Sequence, residues 1–224
     1  LKSKLCHLDN MTRDELAEAG EDANDPGGYF IINGSERVLV SIEDLAPNRI
    51  MCSKENDGQV VVSKVFSTRY GFRARCAVER KREGAFSIVF PASPKDLGLI
   101  TVLRALGLEK NEQIAGAFPA LEEVQNDILL NLEMDPAKDK AGAMEVMGKK
   151  AAPGQAKEYQ HKRAEILLDT YLLPHIGMTA EDRMAKAYYL CKMIEKAVRV
   201  ANRMTAEDDK DHYMNKRIKL TGNL

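Results

Sequence analysis

The sequence has no tryptophan and only 6% aromatic residues, so it offers none of the stacking platforms that hold unpaired bases in single-strand-binding proteins. An excess of positive charge is missing too. Its 33 lysines and arginines face 34 acids, a formal net charge of -1, which excludes a strongly basic nucleic-acid module and confines any such contact to local patches. The four cysteines, Cys6, Cys52, Cys76 and Cys191, form no C-x-x-C pair and have no histidine at zinc-finger spacing. They read as small buried hydrophobes of a reducing cytoplasm, and no metal is expected. No apolar run approaches the roughly 18 residues of a membrane span, and no signal-peptide pattern is read at the start of the sequence. The first residue is Leu1, in mid-pattern and without an initiator methionine, which reads as a segment cut from something longer.

What is present is a chain of 224 residues, 44% hydrophobic and 30% charged, enough for one sizeable core or two small ones. It is organised around Asp25 to Val40, DPGGYFIINGSERVLV. Asp25-Pro26-Gly27-Gly28 is a turn by composition. Tyr29 to Ile32 reads as a strand, Asn33-Gly34 as a tight hairpin turn, and Arg37 to Ile42 as the return strand. Ahead of it, Asn10 or Thr12 caps a turn that leads into the acidic stretch Arg13 to Asp22. Leu45-Ala46-Pro47-Asn48 breaks the pattern, and the chain then becomes β-rich. Gln59 to Phe66 is a strand, and Phe72, Ala74, Cys76 and Val78 alternate with Arg73, Arg75, Ala77 and Glu79, giving one apolar and one largely basic face. A charged loop, Arg80 to Gly84, precedes a further strand, Ala85 to Phe90.

From Ser93 onward the pattern is helical. Ser93 as cap, Pro94 at the first helical position and Asp96 in the first turn open a helix that Gly107 stops. A second helix covers residues 118 to 133, with Leu121, Val124, Ile128, Leu129 and Leu132 inward. Pro136 to Met147 is a short helix ending in a glycine and lysine stretch, and Gln155 to Leu173 a longer one halted by Pro174. Thr179 caps the longest helix, whose stripe of Met184, Ala187, Tyr188, Cys191, Ile194, Ala197, Val198 and Ala201 is expected to face a core. The class that results is α+β: a small antiparallel sheet and hairpins in the first half, packed with a mainly helical second half.

Three places carry possible chemistry. The densest positive charge is Lys64, Arg69, Arg73, Arg75, Arg80, Lys81 and Arg82, either a phosphate-tracking sheet face or a solvated face that guards a sheet edge. Gly148-Lys149-Lys150 suggests a phosphate loop but lacks the G-x-x-x-x-G-K-S/T order. Asp208 to Arg217, DDKDHYMNKR, mixes acids, one histidine and a basic pair, without the D-x-D-x-D-G order of a calcium loop.

Five stretches in order resemble the second-largest, β-like subunit of multisubunit DNA-directed RNA polymerases of the archaeal and eukaryotic type: GGYFIINGSERVLV, LITVLRALGL, AMEVMGKK, the YLLPHI helix end and DDKDHYMNKRIKLTG. The resemblance implies a fragment made of the end of the protrusion (1–46), the lobe (47–207) and a return segment (208–224). It implies one wall of the DNA cleft near the downstream fork and a docking surface for transcription factors. Catalysis is expected only in the assembled nucleotidyltransferase, whose magnesium site belongs to another subunit. The implied partners are other polymerase subunits, DNA as downstream duplex and non-template strand, and general transcription factors, in the cytoplasm at the nucleoid. Neither a membrane nor self-association is implied.

Matched to the family's D-D-x-D-H-x-G-N-R/K-R run, Asp211 and Lys216 fall on positions that in bacterial relatives help hold an unpaired non-template base, with Asn215 and Arg217 beside them. Lys149 and Lys150 match a basic element of the lobe, and Arg73 and Arg75 remain the sheet-face candidates. Met214 stands where the family has glycine, and lysine at 216 keeps the charge of arginine without its bidentate fork. Two readings stay open for Asp208 to Arg217, a nucleic-acid contact and an ion-pair bridge at the lobe hinge. The alternative for the whole chain is a stand-alone nucleic-acid module using the basic sheet face.

Overall fold

The computed structural model describes residues 3–95 and 97–220, so Asp96 and the end of the final motif, Thr221 and Gly222, lie outside the described residues. The chain divides into two compact units, one of residues 1–45 with 211–224 and one of 46–210.

In the larger unit a five-stranded antiparallel sheet runs in the order β4 (Met51–Glu55), β5 (Val60–Arg69), β6 (Phe72–Lys81), β7 (Phe86–Val89) and β8 (Leu97–Gly98). Its β5–β6 hairpin closes through Tyr70-Gly71, both at positive φ (47° and 80°), the mirror-image turn that suits the twist of two strands. The face bearing Val65, Ala74, Cys76, Val78 and Ile88 is fully buried and enters the main core, as the alternation in the sequence requires. Ala77, on the opposite face, is buried as well, so the basic face is narrower than the pattern suggested.

The helices of this unit begin later than their sequence signals. Helix α2 spans Leu99–Leu106, not Pro94 onward, because Leu97 and Gly98 pair with β7 and Ser93 Oγ accepts from Phe90 N at 3.1 Å, closing a turn instead of capping a helix. Every residue of α2 is buried, and Gly107, at φ 124°, stops it. A short α3 (Asn111–Gly116), not foreseen, precedes α4 (Glu122–Met134). Leu129 of α4 is 53% exposed, contrary to expectation, because the inward side is set by Val124, Ile128 and Asn131 at three and four residue steps. Asn131 earns its burial by accepting from Phe86 N and donating to Gly84 O, each at 2.8 Å.

Helix α5 spans Lys140–Ala151, capped by Asp139, so Gly148, Lys149 and Lys150 are helical and form no loop. At Gly148 a Cβ would lie 2.8 Å from Gln160 O, and this close approach seats α5 on α6 (Lys157–Ile166). Helix α6 then widens into a π segment, Leu167–Tyr171. Thr179 and Asp182 form the expected capping box around a 3-10 turn, Ala180–Asp182, and α7 runs Arg183–Ala201. Ala187, Cys191, Ile194, Ala197 and Val198 are buried as expected, whereas Met184 and Tyr188 are exposed (39% and 50%).

A fully buried side chain takes the place of those two. Lys186 donates from Nζ to Leu168 O at 2.7 Å and Asp169 O at 2.8 Å, the open carbonyl end of the α6 and π winding. Two of the donors that a continuing helix would supply there are missing, since Leu173 turns away at φ 46° and Pro174 has no N–H. A cation at a helix C-terminus is also favoured by the backbone dipoles.

In the smaller unit, α1 (Arg13–Glu18) starts at Thr12, which with Glu15 makes a reciprocal capping box. The hairpin β1 (Phe30–Ile32) and β2 (Ser35–Arg37) turns on Asn33-Gly34 at φ 51° and 77°. Its return strand, Ser35–Arg37, lies ahead of the Arg37 to Ile42 read from the sequence and shares only Arg37 with it, because the two-residue turn starts the pairing at once. The next strand, β3 (Ile42–Leu45), pairs instead with β9 (Lys216–Lys219). The whole is an α+β structure.

Candidate nucleic-acid interface

The segment after α7 is handled in two different ways. Asp208 belongs to the larger unit: its Oδ2 accepts from Cys52 N at 2.7 Å and pairs with Lys196 Nζ at 2.6 Å, and its own N–H donates to Cys52 O at 2.9 Å. It ties the end of the α7 segment to β4. Burial pushes the neighbouring Cys52 thiol up to about 12, so this cysteine is inert packing.

From Asp211 the chain belongs to the smaller unit. His212 Nδ1 accepts from Met214 N at 3.1 Å and starts a 3-10 turn, Tyr213–Asn215, that leaves Met214 exposed and Asn215 buried. Strand β9 follows, antiparallel to β3 with Lys216 opposite Leu45 and Arg217 opposite Asp44. Two residues on, across each face, an acid meets a lysine. Glu43 bonds Lys216 Nζ, and Asp44 lies 3.6 Å from Lys219 Nζ. The Glu43 carboxylate raises the Lys216 pKa, so this ammonium stays charged at neutral pH. Asp211, 95% exposed at its side chain, is 4.0 Å from Lys216, whose Nζ also lies 5.9 Å from the Tyr213 ring. Arg217 is exposed and has no ion-pair partner among the described residues.

The structure thus gathers Asp211, Asn215, Lys216 and Arg217 on one short turn and strand. Glu43, which fixes Lys216, was missed by sequence reasoning. The signal was there: Glu43-Asp44 complements Lys216 to Lys219 in antiparallel register, but the pairing spans the length of the other unit.

The seven-residue basic cluster is divided by the sheet. Arg73 and Arg75 lie on the face away from the core, opposite Thr68 and Phe66, with the Arg73 guanidinium 4.5 Å from the Phe66 ring centre. Lys64 is buried on the same face, 3.6 Å from Glu55. Arg80 points the other way and forks onto Asp127 at 2.6 and 3.0 Å. Arg69 sits over Tyr70, 5.2 Å from its ring centre. Lys149, in the last turn of α5, pairs with Glu145 at 3.0 Å, and this bond holds the Glu145 pKa below its ordinary value. Lys150 and Lys81 rim a cavity of about 240 Å³ beside the start of α2. Among the described residues no group of three or more His, Cys, Asp or Glu converges as a metal site.

Residues 46–219 match the family described as RNA polymerase Rpb2, domain 2. Over 232 residues the chain is 44% identical to a protein named DNA-directed RNA polymerase subunit Rpo2N from Methanococcus vannielii, and over 230 residues 47% identical to the Rpo2N of Methanocaldococcus jannaschii. Both alignments cover 100% of this chain and 46% of the relative. Identity to the subunit named Rpo2 of Saccharolobus solfataricus is 40% over 227 residues, 100% of this chain and 20% of that protein. The chain therefore spans about half the length, or less, of these curated relatives.

Proposed function

The chain belongs to the RNA polymerase Rpb2 domain 2 family, and from that premise we propose that it acts as the lobe region of the polymerase's second subunit. In this reading it forms one wall of the DNA cleft near the downstream fork and a docking surface for general transcription factors, at the nucleoid in the cytoplasm. Its partners are the other polymerase subunits, the downstream duplex and the non-template strand. In this reading nucleotidyl transfer, with the magnesium it uses, belongs to other parts of the assembled enzyme.

The observation that carries the DNA contact is the placement of Arg217. It is an exposed guanidinium on a strand whose neighbouring lysines are already committed to Glu43 and Asp44, so it is available to a phosphate. Lys216, held by Glu43, positions that strand and supplies charge beside it. Docking to other protein surfaces is supported by Phe30, Ile31, Ile32, Val38, Leu39 and Val40, each more than half exposed, since a soluble protein rarely leaves so many large apolar side chains of one segment uncovered.

The test is transcription by a reconstituted archaeal-type polymerase carrying Arg217→Ala or Lys216→Ala, read as open-complex lifetime at two salt concentrations. The expected result is a shorter lifetime for Arg217→Ala with assembly intact, and a smaller effect at high salt. A second reading, in which the segment is only a strut, is favoured by the Lys216–Glu43 pair. It predicts that Lys216→Ala impairs assembly and that Arg217→Ala changes nothing.

A further inference from the structure

The sheet and α7 together build a cationic cleft that no single stretch of sequence displays. The register Lys54↔Val61↔Arg80 sets these three in a row on one face of the sheet. Val61, buried against Cys52, Ala197 and Val200, floors a cavity of about 430 Å³ with Ala201. Lys54, Arg80 and Arg82 wall it from the sheet, and Arg203 closes it from the chain just past α7. That size lies within the roughly 300–1,000 Å³ of ordinary ligand pockets.

The charges in this cleft are unbalanced. Arg80 is neutralised by its fork with Asp127, which leaves it a rigid wall. Lys54, Arg82 and Arg203 have no ion-pair partner among the described residues, while Asp57 is the one acid on the lining. The Lys54 backbone is itself held in place, its N–H donating to Glu207 at 2.8 Å. Three cations from separate elements line one concavity, where their charge favours an anion, and two of them are guanidiniums, whose planar forks match phosphate oxygens. Among the described residues no aromatic side chain lines the cleft, so the lining offers phosphate contacts and no stacking platform.

We propose that the cleft of Lys54, Arg82 and Arg203 binds the phosphodiester backbone of a single nucleic-acid strand, without reading its sequence. It is a contact separate from Arg217. The proposal rests on the reading of this chain as part of a nucleic-acid-handling assembly, but its residues and its readout are independent of the open-complex assay.

The experiment is fluorescence anisotropy of a labelled single strand of mixed sequence with the full 224-residue chain, titrated between about 50 and about 200 mM salt. Each phosphate contact contributes about 0.7 to the slope of log affinity against log salt for a single strand, so Arg82→Ala with Arg203→Ala should lower that slope by about 1.4. The same variant should bind tens of fold more weakly at about 50 mM salt and about tenfold more weakly at about 200 mM. Arg82→Lys with Arg203→Lys keeps the charges and should keep the slope. Lys162→Ala with Lys192→Ala removes as much charge from exposed positions elsewhere and should leave the slope unchanged. Circular dichroism checks that each variant is folded; if the alanine pair unfolds, charge reversal at Arg203 alone (Arg203→Glu) decides, with the same expected loss of slope. An unchanged slope in the alanine pair, or in the reversal, overturns the proposal, as does a wild-type chain that does not bind the strand. Binding of polyglutamate in place of the strand, lost in the same variants, also overturns it, because the cleft then takes an acidic protein segment.

Discussion

Replacing Lys186 by methionine removes an ammonium from the buried end of the π segment while nearly keeping the length and packing of the side chain. The carbonyls of Leu168 and Asp169, which accept from Nζ at 2.7 and 2.8 Å, then lose their donor. A buried acceptor left unsatisfied costs about 1–3 kcal/mol, so the pair costs about 2–6 kcal/mol. Relief of the buried ammonium offsets part of this, since desolvating a charge costs several kcal/mol even after relaxation, and the net expectation is a loss of about 2 kcal/mol. For a chain of this size that lowers the melting temperature by about 4–8 °C.

The pH dependence supplies a second, sharper readout. Burial lowers the Lys186 pKa from 10.5 to about 8, against the raising influence of Asp169, Asp182 and Cys76 and with a smaller lowering influence from Arg183. A folded pKa below the unfolded one means that the unfolded chain holds the proton more tightly. The proton-linked part of its contribution is therefore complete above the unfolded value of 10.5 and is lost as pH falls through about 8, leaving at neutral pH the two hydrogen bonds set against the cost of the buried charge. The advantage of wild type over Lys186→Met should thus widen between about pH 8 and pH 10, while Lys186→Arg, always charged, should show no such change. Thermal melts followed by circular dichroism at neutral and alkaline pH measure both effects. A methionine variant that melts at or above wild type at neutral pH, with a gap that does not widen, would refute the assignment of Lys186 as the donor that closes this helix.

Two other perturbations test the packing that supports the candidate surfaces. Asn131→Leu removes the partners of Phe86 N and Gly84 O and should cost about 2–4 kcal/mol, read as a shift of the urea midpoint without a change of slope. Asp208→Asn weakens the bonds to Lys196 and to Cys52 N, and should speed the reaction of Cys52 with a thiol reagent under native conditions, because its protection depends on β4 staying tied to the α7 segment. An unchanged labelling rate would show that the tie is not what shields the thiol.

Much of the fold can be read from local chemistry. Asn33-Gly34, the Thr179 and Asp182 capping box and the Gly107 stop all occur where their residues place them, because each depends on contacts within a few positions. The inward face of β6 followed its alternation from Ala74 onward for the same reason, whereas Phe72, beside the hairpin turn, is 40% exposed. Helix starts fared worse. Ser93 and Pro94 look like a helix start, but a sheet edge was there to pair with Leu97 and Gly98, and strand hydrogen bonds outcompeted an isolated first turn. Gly148-Lys149-Lys150 read as a loop, although packing of α5 on α6 through the bare glycine carries the helix past it.

The candidate sites divide along the same line. Sequence alone determined the class, the alternating strands, the near-neutral charge that forbids a strongly basic module, and the stretches that resemble a polymerase subunit. Tertiary structure decided which of the charges pair across elements. Glu43 reaches Lys216 across β3 and β9, Asp127 takes Arg80 out of the basic cluster, and Lys54, Arg82 and Arg203 meet around one cleft. The physical reason is range: turns and caps are settled by neighbours in the chain, whereas an ion pair falls off with distance in space and takes no account of separation in sequence.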